Sequence, residues 1–130
     1  MKQIKIYKCT VCGNIVLKLE DKTELLSCCD SPMIMLKANT TDGAVEKHVP
    51  YIKEKIKNCK LANAPIYDVQ VGSVAHPMLP EHYINWIGSF NNKAWVIKWL
   101  KPGDKPEHHL KIETDAVIYE YCNLHGLWRK

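Results

Sequence analysis

Four of the chain's six cysteines lie within the first 36 residues, and this feature restricts the fold more than any other. They form two pairs, Cys9 with Cys12 and the adjacent Cys28 and Cys29. So short a segment cannot bury enough apolar surface to be stable alone, so a cross-link must hold it. The run Cys9-Thr-Val-Cys12-Gly13 has the spacing of a metal-binding knuckle, in which Gly13 permits a positive φ. The pattern predicts a tetrathiolate site for zinc or iron.

Two other interpretations of these cysteines remain open, a structural zinc ribbon and a set of disulfides. The N-terminal run MKQIKIYKCT alternates apolar and basic residues, unlike a signal peptide, and no apolar segment is long enough to cross a bilayer. We therefore expect a cytoplasmic protein with no membrane partner, in which clustered cysteines are more often metal ligands than disulfides. The net charge of +4 is mild and no basic stripe is present, so nucleic-acid binding is not expected.

From residue 37 onward the sequence changes to short strand-like runs separated by turn residues, which predicts an all-β fold with a β-sandwich over residues 37–130. The predicted strands are Tyr67–Val71, His82–Phe90, Lys93–Leu100 and Ala116–Tyr121. A turn is expected at Asn91-Asn92 and a loop over residues 101–106. Residues 52–59 could form a turn or two of helix. The aromatic residues Trp86, Trp95, Trp99 and Tyr119 are expected to pack the sandwich.

Five side chains in this second segment are candidate metal ligands. His48 is predicted on a loop, His76 after a strand and His82 at the start of the next, and Cys122-Asn-Leu-His125 closes the last predicted strand. Taken singly, a loop histidine is usually solvated and a buried cysteine is usually a small hydrophobe. We expect His108 and His109, assigned to the Pro-rich loop, to be solvated. Cys59 is interpreted as a spare thiol.

Seven sequence blocks, taken together, resemble one family. In order they are YKCTVCGNIV from Tyr7, CC from Cys28, EKHVP from Glu46, VGSVAHPM from Val71, EHYI from Glu81, LKPG from Leu100 and YCNLHG from Tyr121. Their order and content resemble desulfoferrodoxin over nearly the whole chain. The resemblance implies a rubredoxin-like domain over residues 1–36, with one iron bound by Cys9, Cys12, Cys28 and Cys29. It implies an immunoglobulin-like sandwich over residues 37–130, with a second iron bound by His48, His76, His82 and His125 in a plane and by Cys122 as axial thiolate.

The resemblance also implies an enzyme, a superoxide reductase that forms hydrogen peroxide and is re-reduced by a rubredoxin-like donor. Five ligands leave one octahedral position open, and the remaining positive charge would attract an anion. Glu46 would be a sixth ligand of the oxidised iron, and Lys47 would add to the attraction. The family implies a homodimer. Two alternatives remain: a two-iron electron carrier without substrate turnover, and a zinc-ribbon interaction module fused to a β-sandwich.

Overall fold

The computed structural model describes residues 4–56, 66–111 and 115–130. It divides the chain into two units, Met1–Lys37 and Ala38–Lys130. One short helix, α1, spans Val45–His48, and every other element is a strand, so the predicted all-β class is confirmed. The strands are β1 (Lys5–Lys8), β2 (Ile15–Lys18), β3 (Ser27–Cys28), β4 (Ser31–Pro32), β5 (Ile34–Met35), β6 (Pro50–Ile56), β7 (Ile66–Val71), β8 (Ile84–Phe90), β9 (Trp95–Trp99), β10 (Glu107–Lys111), β11 (Val117–Cys122) and β12 (Gly126–Arg129). In the ranges described, no helix has the length and apolar character needed to span a bilayer.

The first unit is held by two small sheets, β2-β1-β5 and the β3-β4 hairpin. A two-residue turn joins β3 to β4, with φ of 52° at Cys29 and 55° at Asp30. Two consecutive positive φ values are typical of the type I′ hairpin turn, which matches the twist of the strands on either side. The positive φ expected at Gly13 is confirmed at 80°.

The second unit is a sandwich of two antiparallel sheets, ordered β10-β7-β6 and β12-β11-β8-β9. Its core contains Val69 and Leu110 from the first sheet and Ile84, Ile87 and Ile118 from the second, all essentially inaccessible. The pairing of β11 with β8 shifts register where Cys122 pairs with Ile84. Such an irregularity bends the strand and changes the direction of nearby side chains. It lies at the end of the sandwich where the candidate ligands meet.

The predicted aromatic packing is only partly correct. Trp86 pairs with Tyr121 and with Trp99, so all three share the face of the sheet that points away from the core. Trp86 stacks on Tyr121 and Trp95 contacts Tyr119, which buries much of this outer face. Trp99 is 73% exposed, so its assignment to the interior was wrong. It lies on β9, which is at the edge of its sheet among the strands that the structure describes.

Three sequence-based assignments of local structure are corrected. Residues 52–56 are not helical but continue β6, because they pair with β7; the rest of that prediction, including Cys59, lies outside the described residues. His108 and His109 are not in the loop but on β10, where His108 pairs with Val69. The predicted last strand, β11, is followed by one more, because a tight turn leads from β11 into β12.

Candidate metal centres

The five candidate ligands of the sandwich lie on separate elements that meet at one end of the sheets. His48 ends α1 and is not on a loop as expected, and His76 follows β7, whose Val71 carbonyl accepts the His76 backbone N–H at 3.2 Å. His82 forms an isolated bridge with Leu79 just before β8. Cys122 ends β11, and His125 lies in the turn to β12. One nitrogen or sulfur from each of the five side chains lies within 4.8 Å of the others.

The distances between these atoms are those of ligands around one ion. His48 Nε2 is 3.0 Å from His125 Nδ1 and 3.2 Å from His76 Nε2. Cys122 Sγ lies 3.5 Å from His76 Nε2 and 3.7 Å from His125 Nδ1. Metal–nitrogen bonds of about 2.1 Å at right angles place adjacent nitrogens roughly 3 Å apart. The cluster therefore has the right size for a transition metal.

Hydrogen bonds fix two of the imidazoles with their lone pairs facing each other. His48 Nδ1 donates to the Ala44 carbonyl and His76 Nδ1 donates to the Pro77 carbonyl, each at 2.7 Å. A neutral imidazole carries one N–H, so each Nε2 is left as an acceptor. Two acceptors 3.2 Å apart repel each other unless a cation lies between them. The residues thus fit a metal ion, and the carbonyls hold the ligand tautomers as outer partners usually do.

Burial favours the neutral form of three of the imidazoles. It lowers the pKa of His76 to about 4, and it also lowers the pKa of His48 and of His82. A neutral imidazole is the form that binds a metal. Because protonation is disfavoured, a shared proton does not replace the cation between the facing nitrogens. Four imidazoles and one thiolate exceed the four ligands of a structural zinc site, and the set suits iron better.

The Cys122 sulfur lies in the sandwich core with no exposed surface. Burial raises the pKa of the Cys122 thiol, while the backbone N–H groups of His125 and Leu124 act in the opposite direction by favouring the thiolate. These two amides come from the same three-residue turn that supplies His125, and Gly126 ends that turn with φ of 76°. A cation nearby would overcome the remaining cost of ionisation, because a coordinated thiol is deprotonated outright.

Two glycines and a tryptophan shape the surroundings of His48. Trp128 stacks on the His48 ring with centroids 4.8 Å apart and donates its indole N–H to the His125 carbonyl at 3.0 Å. A Cβ added at Gly43 would lie 3.4 Å from the rings of both His48 and His125, so little space is left there. Gly72 has φ of 77°, and a Cβ there would lie 2.6 Å from the Glu46 carbonyl oxygen. This close approach fixes α1 against the end of β7.

Glu46 and Lys47 are exposed residues of α1, next to the ligand His48. The Glu46 carbonyl accepts hydrogen bonds from Val74 N at 3.1 Å and Ser73 Oγ at 3.3 Å, which anchor the helix but leave the carboxylate at the surface. Burial is the main cause that lowers the pKa of His82. The electrostatic effects of His125 and then of Lys47 lower it further. Both charged groups therefore lie near the cluster without belonging to it.

The four cysteines of the first unit also converge, with their sulfurs within 4.8 Å of one another. Cys12 Sγ is 3.6 Å and Cys29 Sγ is 3.9 Å from Cys28 Sγ. These distances are far longer than a disulfide, and they match the roughly 3.8 Å between thiolates in a tetrahedral site with bonds of about 2.3 Å. The Cys12 backbone N–H lowers the pKa of Cys9 to about 6, whereas the neighbouring Cys12 and Cys28 raise the pKa of Cys29 to about 12. Only a cation would let all four ionise together.

Comparison with known proteins agrees with both sites. The family model described as "Desulfoferrodoxin" matches residues 40–130, and "Desulfoferrodoxin, N-terminal domain" matches residues 1–36. The chain belongs to the desulfoferrodoxin family. The desulfoferrodoxin of Nitratidesulfovibrio vulgaris is 49% identical over 128 residues, which covers 98% of this chain and 95% of the relative. The desulfoferrodoxin homolog of Archaeoglobus fulgidus is 42% identical over 127 residues, covering 97% and 95%.

A solved structure extends the likeness to the fold. The superoxide reductase from Treponema pallidum is 28% identical and superposes with a TM-score of 0.71, over 99% of both chains. The two clusters of this chain coincide with the two matched family domains, the four cysteines in the first and the four histidines with Cys122 in the second. The four-cysteine site and the site of four histidines and one cysteine therefore correspond to the iron sites of a desulfoferrodoxin.

One buried acid near the sandwich site was missed at the sequence level. Glu120 lies two residues before Cys122 on β11 and has no exposed surface. Both of its carboxyl oxygens lack a hydrogen-bond partner within the described ranges. Burial raises the pKa of this carboxyl well above its usual value. Side chains alternate between the two faces of a strand, so Ile118, Glu120 and Cys122 must share one face of β11. This alternation in the sequence could have indicated that Glu120 is buried.

Proposed function

We propose that this chain is a superoxide reductase that converts superoxide to hydrogen peroxide at an iron held by His48, His76, His82, His125 and Cys122. The observation that carries the proposal is the meeting of four imidazoles and one sulfur within 4.8 Å, with the Nε2 lone pairs of His48 and His76 facing each other. The name of the solved relative, a superoxide reductase, supports the same activity. A zinc-ribbon interaction module would have no use for the histidine cluster.

The five ligands differ in burial, and this difference indicates separate roles. His48, His76 and Cys122 are almost fully buried, which shields the sulfur from water and from diffusing oxidants. His82 and His125 are half-buried, so solvent reaches the cluster on their side. Ferrous iron bound there would supply the single electron, and two protons from solvent complete the conversion of superoxide to hydrogen peroxide. Exposed Glu46 and Lys47 on α1 are the charged groups that act on this open side, Lys47 by attracting the anion and Glu46 as a carboxylate able to reach the oxidised centre.

The remaining parts of the proposal concern the first unit and the partners. Residues 1–36 would form an iron domain with Cys9, Cys12, Cys28 and Cys29 as ligands, and residues 37–130 the catalytic domain. An external donor of the rubredoxin type would return the electron after each turnover. We also propose a homodimer in the cytoplasm, in keeping with the family resemblance.

The test is a pulse of superoxide given to the reduced, iron-loaded protein, followed by absorption and peroxide detection. We expect two irons per chain, one peroxide for each superoxide consumed, and no oxygen formed from substrate. A dismutase would give one peroxide for every two superoxide ions. If superoxide leaves the sandwich iron reduced, only the two-iron electron carrier survives; stoichiometric zinc in protein from iron-replete cells would count against both functions.

Replacing Lys47 with alanine tests the attraction of the anion. Steering by local positive charge raises encounter rates by on the order of ten to a thousand, so we expect the second-order rate at low salt to fall by about tenfold. The rate should also depend less on ionic strength, because less attraction remains to be screened. Lys93→Ala is the matched control, since Lys93 is an exposed lysine in the turn at the far end of β8. Equal salt slopes in the two variants would contradict the role of Lys47.

A further inference from the structure

We propose that Asn123 is a positioning residue that holds His82 in place against the turn carrying Cys122 and His125. The inference rests on the proposed metal centre and concerns a ligand whose ring makes no hydrogen bond of its own among the described residues. Asn123 lies between two ligands in the sequence, and its side chain reaches the segment that carries a third.

The Asn123 amide bonds the two residues that flank His82. Its Oδ1 accepts the backbone N–H of Tyr83 at 2.9 Å, and its Nδ2 donates to the backbone carbonyl of Glu81 at 3.0 Å. The Asn123 backbone N–H also donates to the Tyr83 carbonyl at 3.1 Å. Three hydrogen bonds from one residue therefore tie the chain on both sides of His82 to the Cys122–His125 turn.

The His82 ring has less support of its own than the other buried ligands. His48 and His76 are each fixed by a bond from Nδ1 to a backbone carbonyl. For His82, the described residues offer the ring no such partner, and its buried Nε2 makes no hydrogen bond. Its backbone makes a single isolated bridge with Leu79. The direction of the His82 ring must therefore come from where its backbone is held.

Only an amide satisfies both flanking groups at once. The Tyr83 N–H requires an acceptor and the Glu81 carbonyl requires a donor, so the polarity of the backbone fixes which end of the Asn123 amide faces which residue. Alanine provides neither group. Serine is neutral and polar but too short to bridge both. Outer partners that orient metal ligands typically change metal affinity by 10–100-fold when they are removed.

The experiment compares the loss of iron from the two sites of the full-length, iron-loaded, oxidised chain in excess EDTA. Each site is followed through its own thiolate-to-iron absorption. For Asn123→Ala we expect iron to leave the sandwich site about 10–100-fold faster than in the unmodified protein. The four-cysteine site of the same molecule should lose iron at an unchanged rate. We also expect the sandwich absorption band to shift or broaden, which a simple loss of stability would not cause.

Asn91→Ala is the matched control. The Asn91 Oδ1 accepts the backbone N–H groups of Lys93 and Ala94, each at 2.8 Å, in the turn at the opposite end of β8. Its removal should lower the unfolding midpoint of the metal-free chain comparably, yet leave the sandwich band and both iron-loss rates unchanged. If Asn123→Ala does not fold, Asn123→Ser carries the same expectation. Rates and bands for the Asn123 variants equal to those of Asn91→Ala would overturn the proposal, whereas an unmodified sandwich that binds no iron would overturn the proposed function instead.

Discussion

Cys122→Ser is expected to abolish superoxide reduction while leaving the four-cysteine chromophore intact. Cys122 is the only sulfur in the cluster of four histidines, and its position in the core is closed to water. A serine hydroxyl at that position would stay protonated, since burial opposes its ionisation more strongly than that of a thiol. We expect the second-order rate with superoxide to fall by at least about a hundredfold, because even outer partners of a ligand are worth 10–100-fold. The thiolate-to-iron band of the sandwich site should vanish.

The reciprocal control is Cys12→Ser. Cys12 is an exposed member of the four-cysteine cluster. Its replacement should remove or alter that chromophore and leave the sandwich band in place. Rate measurements on both variants, reduced chemically before the superoxide pulse, separate the two sites. Retained turnover in Cys122→Ser would remove this residue from the ligand set.

Gly72→Ala is expected to destabilise the sandwich strongly. A Cβ there would meet the Val74 carbonyl oxygen at 2.4 Å, the Glu46 carbonyl oxygen at 2.6 Å and Lys47 Cα at 2.6 Å. All three are backbone atoms, so the clash cannot be relieved by rotating a side chain. Left-handed strain of about 1–2 kcal/mol adds to overpacking of about 1–3 kcal/mol. We expect the free energy of unfolding to fall by roughly 2–5 kcal/mol.

Gly103→Ala measures the cost of the left-handed backbone conformation without a close approach of backbone atoms. Gly103 has φ of 89°, similar to Gly72, but a Cβ there would have no neighbour within 4 Å. This variant should lose only about 1–2 kcal/mol, the cost of the left-handed conformation. Urea unfolding of the metal-free chains measures both, and iron stoichiometry reports whether α1 still presents His48. A similar loss in the two variants would mean that the backbone contact at Gly72 is relieved elsewhere.

The ligand sets could be predicted because they depend on residue type and spacing. Cys9 and Cys12 are close in sequence, as are Cys122 and His125, and such pairs reach one ion almost wherever the local turn leads. His48, His76 and His82 were candidates because of their places on a loop and at predicted strand ends. Nothing in their own spacing brings them together, so the family resemblance was needed to assign them to one ion. The structure shows the physical reason for their meeting, which is that α1 and the ends of three strands lie at one end of the sandwich.

The elements that were missed depend on pairing between distant segments. His108 and His109 follow a Pro-rich loop, and only pairing with β7 makes their segment a strand. The pairing of β8 with β9 brings Trp86 and Trp99 to one face of the sheet. The period of two along each strand does not say whether that face is the core or the outside. Residues 52–56 were ambiguous for the same reason, because a short run can be helix or strand until its partner is known.

The short turn between β11 and β12 has a consequence for protein engineering. Cys122 and Gly126 are paired across it, so its length sets the separation between one sulfur and one imidazole. A single inserted residue would break this pairing and turn the following side chains to the opposite side of the sheet. Loop-length libraries should therefore leave residues 123–125 untouched. The loop around Gly103, where an added Cβ finds open space, is the better place to graft a tag or reporter peptide.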